Sequence, residues 1–177
     1  MPRLRNLVPG LLLAAPLFCA VAVAAEPTIS VYKSPTCGCC TQWIGHLEDN
    51  GFEVNAVDVT DLGPVKSQAG IAPEQASCHT ALVGNYVIEG HVPASDIRRL
   101  LSEHPEARGL TVPGMPLGSP GMDASDPQHY PQHYQVLLIG KDGSTSVFAE
   151  HEPHAPPLIS ERISITVQEG GPGGPDQ

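Results

Sequence analysis

The sequence is short of positive charge. Its 177 residues include 9 lysines and arginines against 19 aspartates and glutamates, a formal net charge of −10. This balance argues against a nucleic-acid backbone or an anionic membrane as partner. The chain also has no unbroken apolar run long enough to cross a bilayer. Its most apolar stretch, 7–23, is interrupted by Pro9, Gly10 and Pro16. With Arg3 and Arg5 before it and Ala22-Val23-Ala24-Ala25 after it, the stretch has the pattern of a secretory signal removed before Glu26. Cys19 lies within it, and Phe18 is too large for a lipid-attachment motif, so Cys19 is expected to leave with the signal. The expected mature chain is therefore exported, with no membrane span. Without Arg3 and Arg5 it sets seven basic side chains against nineteen acidic ones, a charge of −12.

What remains is rich in sulfur at one place. Ser34-Pro35-Thr36-Cys37-Gly38-Cys39-Cys40 puts three thiols within four residues. The motif follows a β-rich run, 28–33, and opens a helical one, 38–50. A Cys-x-x-Cys between a strand and a helix is the geometry of thioredoxin-like redox sites. A helix N-terminus favours thiolate over thiol, and thiolate is both nucleophile and metal ligand. A disulfide exchanger needs two thiols, however. A third, Cys39, makes the turn look like a nest for soft metal ions.

The rest of the chain reads in order. The helix at 38–50 carries Trp43, Ile44 and Leu47 as its apolar stripe, and Asn50-Gly51 stops it. Residues 52–59 alternate as a second strand, parallel to the first. Residues 61–69 form a weak helix, and 70–73 a loop. Strands at 80–83 and 86–89 flank Gly84-Asn85 as a hairpin, and 93–104 form a helix with Ile97, Leu100 and Leu101 inward. The expected fold is α/β and thioredoxin-like, in the order β-α-β, weak α, β-hairpin, α. An additional C-terminal hairpin, 135–139 with 145–149, and a Gly/Pro/Met loop, 111–123, follow. The division is a signal at 1–25, one metal-binding domain at 26–151 and a Pro/Gly-rich tail at 152–177, disordered except for an alternating stretch at 163–167 that could add an edge strand.

A third absence bears on function. Redox members of the thioredoxin class carry a cis-proline at the strand start facing the Cys-x-x-Cys turn. Here that stretch is Ser77-Cys78-His79-Thr80, with a thiol and an imidazole in its place. This weakens substrate docking and favours a ligand cluster of Cys37, Cys39, Cys40 and Cys78. Met115 and Met122, in a loop too rich in glycine and proline for a regular element, suit a thioether lid. His79 is a second-tier ligand, His46 a packing or hydrogen-bonding residue, and His91 has no assignable partner. His129 with His133, and His151 with His154, form candidate accessory pairs. Thioethers in the shell favour copper over zinc.

These stretches resemble the CopG-type family of exported, thioredoxin-like copper-resistance proteins, whose members are also known as metal-binding proteins of unknown function. The resemblance runs through 32–40 with Trp43 and His46, then 76–81, then 87–93, then 112–122. It implies a Cys-x-Cys-Cys site binding copper, with several ions bridged by sulfur, a periplasmic role in copper resistance, and interconversion of Cu(I) and Cu(II). The partners implied are copper ions and other copper-handling proteins of the envelope. The insert at 129–133 and the long tail depart from the family pattern. Two other expectations stand beside this one: a thiol–disulfide oxidoreductase using Cys37 as nucleophile and Cys40 as resolving thiol, and a carrier passing copper onward.

Overall fold

The computed structural model describes residues 27–122 and 131–152. The expected signal, the tail with its stretch at 163–167, His129 and His154 lie outside these residues. Seven strands form one sheet in the order β2-β1-β3-β4-β5-β6-β7. They are β1 (Ile29–Lys33), β2 (Val54–Asp58), β3 (His79–Val83), β4 (Tyr86–Glu89), β5 (Ala107–Thr111), β6 (Tyr134–Gly140) and β7 (Thr145–His151). The helices are α1 (Gly38–Asp49), α2 (Gly63–Ala69) and α3 (Ala94–Glu103), with a 3₁₀ turn at Pro73–Gln75. The molecule is α/β, and its elements up to α3 follow the expected order.

Strand alternation divides the molecule. Ile29 and Val31 of β1, Ala81 and Val83 of β3, Ile88 of β4 and Leu110 of β5 join Trp43, Ile44 and Leu47 of α1 and Ile97 and Leu100 of α3 in one core. Neighbouring strand positions turn the other way, and Val87, Ile139 and Ile71 form a smaller cluster with Ala69 of α2. Burying each large apolar side chain contributes about 1.5–3 kcal/mol. Trp43, fully buried, also donates from Nε1 to the Val92 carbonyl at 2.9 Å, so the polar edge of its ring is satisfied.

The same alternation places the polar groups near the thiols. His79 shares its face with Ala81 and packs its ring against Trp43 at a 40° tilt, ring centroids 4.3 Å apart. Thr80 and Glu89, paired in register, take the opposite face. There the fully buried Glu89 accepts hydrogen bonds from Lys66 of α2, from Thr80 Oγ1 at 2.7 Å and from the Ser77 N–H at 2.6 Å. Burial raises the Glu89 carboxyl above the usual range, against these partners' pull downward.

One strand does not show in the sequence pattern. β5, Ala-Arg-Gly-Leu-Thr, runs parallel to β4 and joins the hairpin β6–β7 to the rest of the sheet. Gly109 faces Val87 so closely that a Cβ would collide with its backbone. The residue that weakens the strand pattern is thus the one its packing requires.

Candidate metal centre

The centre forms where α1 begins beside the start of β3. Cys37 is the N-cap of α1, and its Sγ accepts from the Cys40 N–H at 3.3 Å. Cys39 and Cys40 follow in the first turn. Because β1 and β3 are antiparallel neighbours, with Lys33 opposite His79, the residue before β3 lies beside the residues after β1. Cys78 therefore meets the motif. Its Sγ is 3.5 Å from Cys40 Sγ and 4.0 Å from Cys39 Sγ, and Cys39 Sγ is 3.5 Å from Cys37 Sγ. All four sulfurs lie within 4.8 Å of one another. Cys37 and Cys40 are joined as a disulfide, while Cys39 and Cys78 are free.

Two imidazoles complete the cluster. His91 Nε2 is 3.0 Å from Cys78 Sγ, and His79 Nδ1 is 3.3 Å from it. His91 Nδ1 lies 2.8 Å from the Pro120 carbonyl. A carbonyl can only accept, so Nδ1 carries the proton and Nε2 offers its lone pair to the sulfur side. The sequence alone offers His91 no assignable partner. The signal lay in topology: β4 ends beside the start of β3, so the residues after Glu89 return to Cys78.

Burial sets the charge states. It pushes the Cys78 thiol up to about 12, and neighbouring Cys39 adds to the effect. It drives His79 down to about 3, helped by His91 and Lys66, and lowers His91 as well, against the pull of the Pro120 carbonyl. At neutral pH the buried part of the centre is a neutral thiol between neutral imidazoles. A cation entering would release the thiol proton.

The loop 113–122 is a strap over this centre. At one end the Gly114 N–H donates to the Ala76 carbonyl at 3.1 Å, and Ser77 Oγ donates to the Gly114 carbonyl. At the other, Gly121 (φ 81°) approaches α1 so closely that a Cβ would stand 2.8 Å from the Cys39 carbonyl and 2.7 Å from the Trp43 nitrogen. Bonds from Gly118 N–H to the Met122 carbonyl (3.0 Å) and from Met122 N–H to the Ser119 carbonyl (2.8 Å) close the strap on itself. Met122 is half-buried next to this contact, whereas Met115 is 51% exposed.

Three other histidines of the described residues lie elsewhere. His46 Nε2 accepts from the Ala94 N–H at 3.1 Å, at the start of α3, consistent with a hydrogen-bonding role. His151 Nε2 lies 2.7 Å from Asp96 Oδ2. His133 stands on the surface with Glu150 and Glu152.

Fold and centre together define an α/β protein with a thiol–imidazole cluster at a helix N-terminus. The family model described as "Protein of unknown function, DUF411" matches residues 75–122, the span from Cys78 through His91 to the strap. Two solved structures are similar over most of the chain. Copper resistance protein copG, Form 2, is 42% identical, with 72% of this chain and 99% of that one covered and a TM-score of 0.67. Form 1 is 43% identical, with 71% and 98% covered and a TM-score of 0.66. No curated protein matches. This chain belongs to the copG family of copper resistance proteins.

Proposed function

We propose that the chain is an exported, periplasmic copper-binding protein of copper resistance. Its cargo is held by Cys37, Cys39, Cys40 and Cys78, with His91 and His79 as nitrogen donors and Met115 and Met122 of the strap above. The observation that carries this reading is four sulfurs within 4.8 Å of one another at a helix start, with two imidazoles on the Cys78 sulfur. Such a donor set suits Cu(I). Two sulfurs bound tetrahedrally to one ion at about 2.3 Å stand about 3.8 Å apart. The spacings of 3.5–4.0 Å therefore suit one ion or several bridged by sulfur. Zinc would fit the same spacing, and family membership with copper resistance proteins favours copper. Residues 1–25 serve as the export signal and 26–151 as the metal-binding domain.

The disulfide gives the centre a redox partner for its cargo. With Cys37 and Cys40 reduced, two Cu(II) ions take one electron each as the two sulfurs join. The products are two Cu(I) ions and one disulfide, and the thiol protons pass to solvent. Cys39 and Cys78 stay available to hold Cu(I). The reverse step takes two Cu(I), two protons and the disulfide and returns two Cu(II) with both thiols; an external dithiol instead reduces the disulfide alone, becoming a disulfide itself and leaving the copper as Cu(I).

The Cys37–Cys40 disulfide at a helix start also favours a second reading, a thiol–disulfide oxidoreductase. Substitution separates the two. In a copper protein, Cys39→Ser and Cys78→Ser each remove much of the Cu(I) capacity. In an exchanger both leave insulin reduction intact while Cys37→Ser abolishes it. Robust insulin reduction surviving both serine changes would decide for the oxidoreductase.

A further inference from the structure

The hairpin β6–β7 carries a second group of metal-capable side chains. Its register places Tyr134 opposite His151 and Gln135 opposite Glu150. One position further, His133 comes opposite Glu152, Nε2 to Oε1 at 3.7 Å. Alternation then sorts the faces. Tyr134 and His151 turn toward α3, their rings stacked at 4.8 Å and His151 held by Asp96. His133, Gln135, Glu150 and Glu152 share the outer face. The imidazole nitrogen and the two carboxylates lie within 4.8 Å of one another, all exposed. Gln135 Nε2 donates to Glu150 Oε1 at 3.0 Å and orients that carboxylate.

An ordinary surface ion pair needs one carboxylate for one imidazole. Here Glu152 meets the His133 ring, and Glu150, two residues away on the same face, brings a second carboxylate within reach of the same point. We propose that His133, Glu150 and Glu152 form a second copper site, for Cu(II), separate from the thiol cluster. One imidazole and two carboxylates make a borderline-to-hard donor set, which Cu(I) does not prefer. Among divalent first-row ions affinity for such donors peaks at Cu(II), with Zn(II) below it. Exposure leaves room for water to complete the coordination. The site is also anchored to the strap. His133 follows Gln132, whose N–H donates to the Leu117 carbonyl at 2.7 Å and whose Oε1 accepts from the Leu117 N–H at 3.1 Å. Within one chain, soft donors at the helix start and harder donors on the hairpin match the two oxidation states of one metal.

The test is frozen-solution electron paramagnetic resonance of the mature protein, with its thiols first filled anaerobically with Cu(I) and then one equivalent of Cu(II) added. If the thiols take up no Cu(I), the titration on air-oxidised protein still reads the surface site. The expected result is an axial Cu(II) signal with coupling to a single imidazole nitrogen. His133→Asn should remove that coupling, and both it and the double change Glu150→Gln with Glu152→Gln should weaken Cu(II) binding at least about tenfold. Cu(I) capacity should be unchanged in both. The same signal and affinity in both variants, or no Cu(II) held outside the thiols in the wild type, would overturn the proposal. Loss of Cu(I) uptake with this signal intact would count against the proposed function alone.

Discussion

The thiol centre and the outer face of the β6–β7 hairpin both gather metal-capable side chains, at opposite depths. At the first, Cys78, His79 and His91 sit among Trp43, the strap and the strand ends, and burial holds them uncharged. At the second, His133, Glu150 and Glu152 stand in water. The difference teaches that depth, as much as residue type, selects the ion. A low-dielectric pocket disfavours unpaired charge and suits a monovalent ion shared among sulfurs. A solvated carboxylate pair tolerates a divalent one.

The largest expected effect comes from removing the sulfur that bridges motif and histidines. Cys78→Ser should lower Cu(I) capacity about as much as Cys39→Ser, read by anaerobic titration against a chromophoric Cu(I) chelator. The matching change on the hairpin, His133→Asn, should leave that capacity untouched. If Cys78→Ser keeps full capacity, the comparison fails, because Cys78 is then a buried small hydrophobe.

Acid tests the depth directly. His79 takes its proton near pH 6.5 in the unfolded chain but only near pH 3 in the fold. The unfolded state binds more protons in that window, so stability of the metal-free protein should fall as pH drops from 6.5 toward 3. A shift of this size corresponds to several kcal/mol, at about 1.4 kcal/mol per pH unit. His91 acts in the same direction. Glu89, raised, acts in the opposite one, so a variant must isolate the histidine. Denaturant unfolding between pH 7 and pH 4 should show a flatter pH slope in His79→Asn than in the wild type. Equal slopes would mean that His79 is hydrated.

The strap offers a smaller perturbation. At Gly121 an added Cβ meets the backbone of Cys39 and Trp43, and φ of 81° disfavours a side chain in any case. Gly121→Ala should destabilise the protein by about 1–3 kcal/mol and weaken Cu(I) binding, while Gly114→Ala, with open space around it, should meet only the cost of its positive φ. Equal losses in the two would mean that the strap's contact with α1 is unimportant. The smallest effect is expected from the thioethers. Met115→Leu with Met122→Leu keeps volume and should lower the Cu(II)/Cu(I) potential by about 30 mV, roughly 0.7 kcal/mol for one electron. Half-buried Met122 should carry most of it. An unchanged potential would make the loop a packing element.

Much of the centre was legible because local sequence encodes it. Cys37, Cys39 and Cys40 share one helical turn, and Cys78 precedes a strand that the βαβ order returns to that turn. Trp43, Ile44 and Leu47 were readable by helical period, and all three are buried. What was not legible depends on pairing between distant segments. β5 hides behind Arg108 and Gly109, whose suitability appears only against Val87. His91 follows a strand whose end is placed by β3, and nothing near it in sequence names Cys78. The partners of His133, Glu150 and Glu152, come from the far strand of a hairpin whose register the sequence pattern leaves open.

The most direct test is the copper content of the mature protein in two redox states. The protein is loaded anaerobically with Cu(I) after full reduction, or with the Cys37–Cys40 disulfide intact, then desalted and measured by elemental analysis beside zinc. Four thiolates with two imidazoles should hold more than one copper per chain when reduced, and the disulfide should remove much of that capacity. Zinc alone, no retained metal, or equal copper in both states would contradict a copper centre built on these four sulfurs.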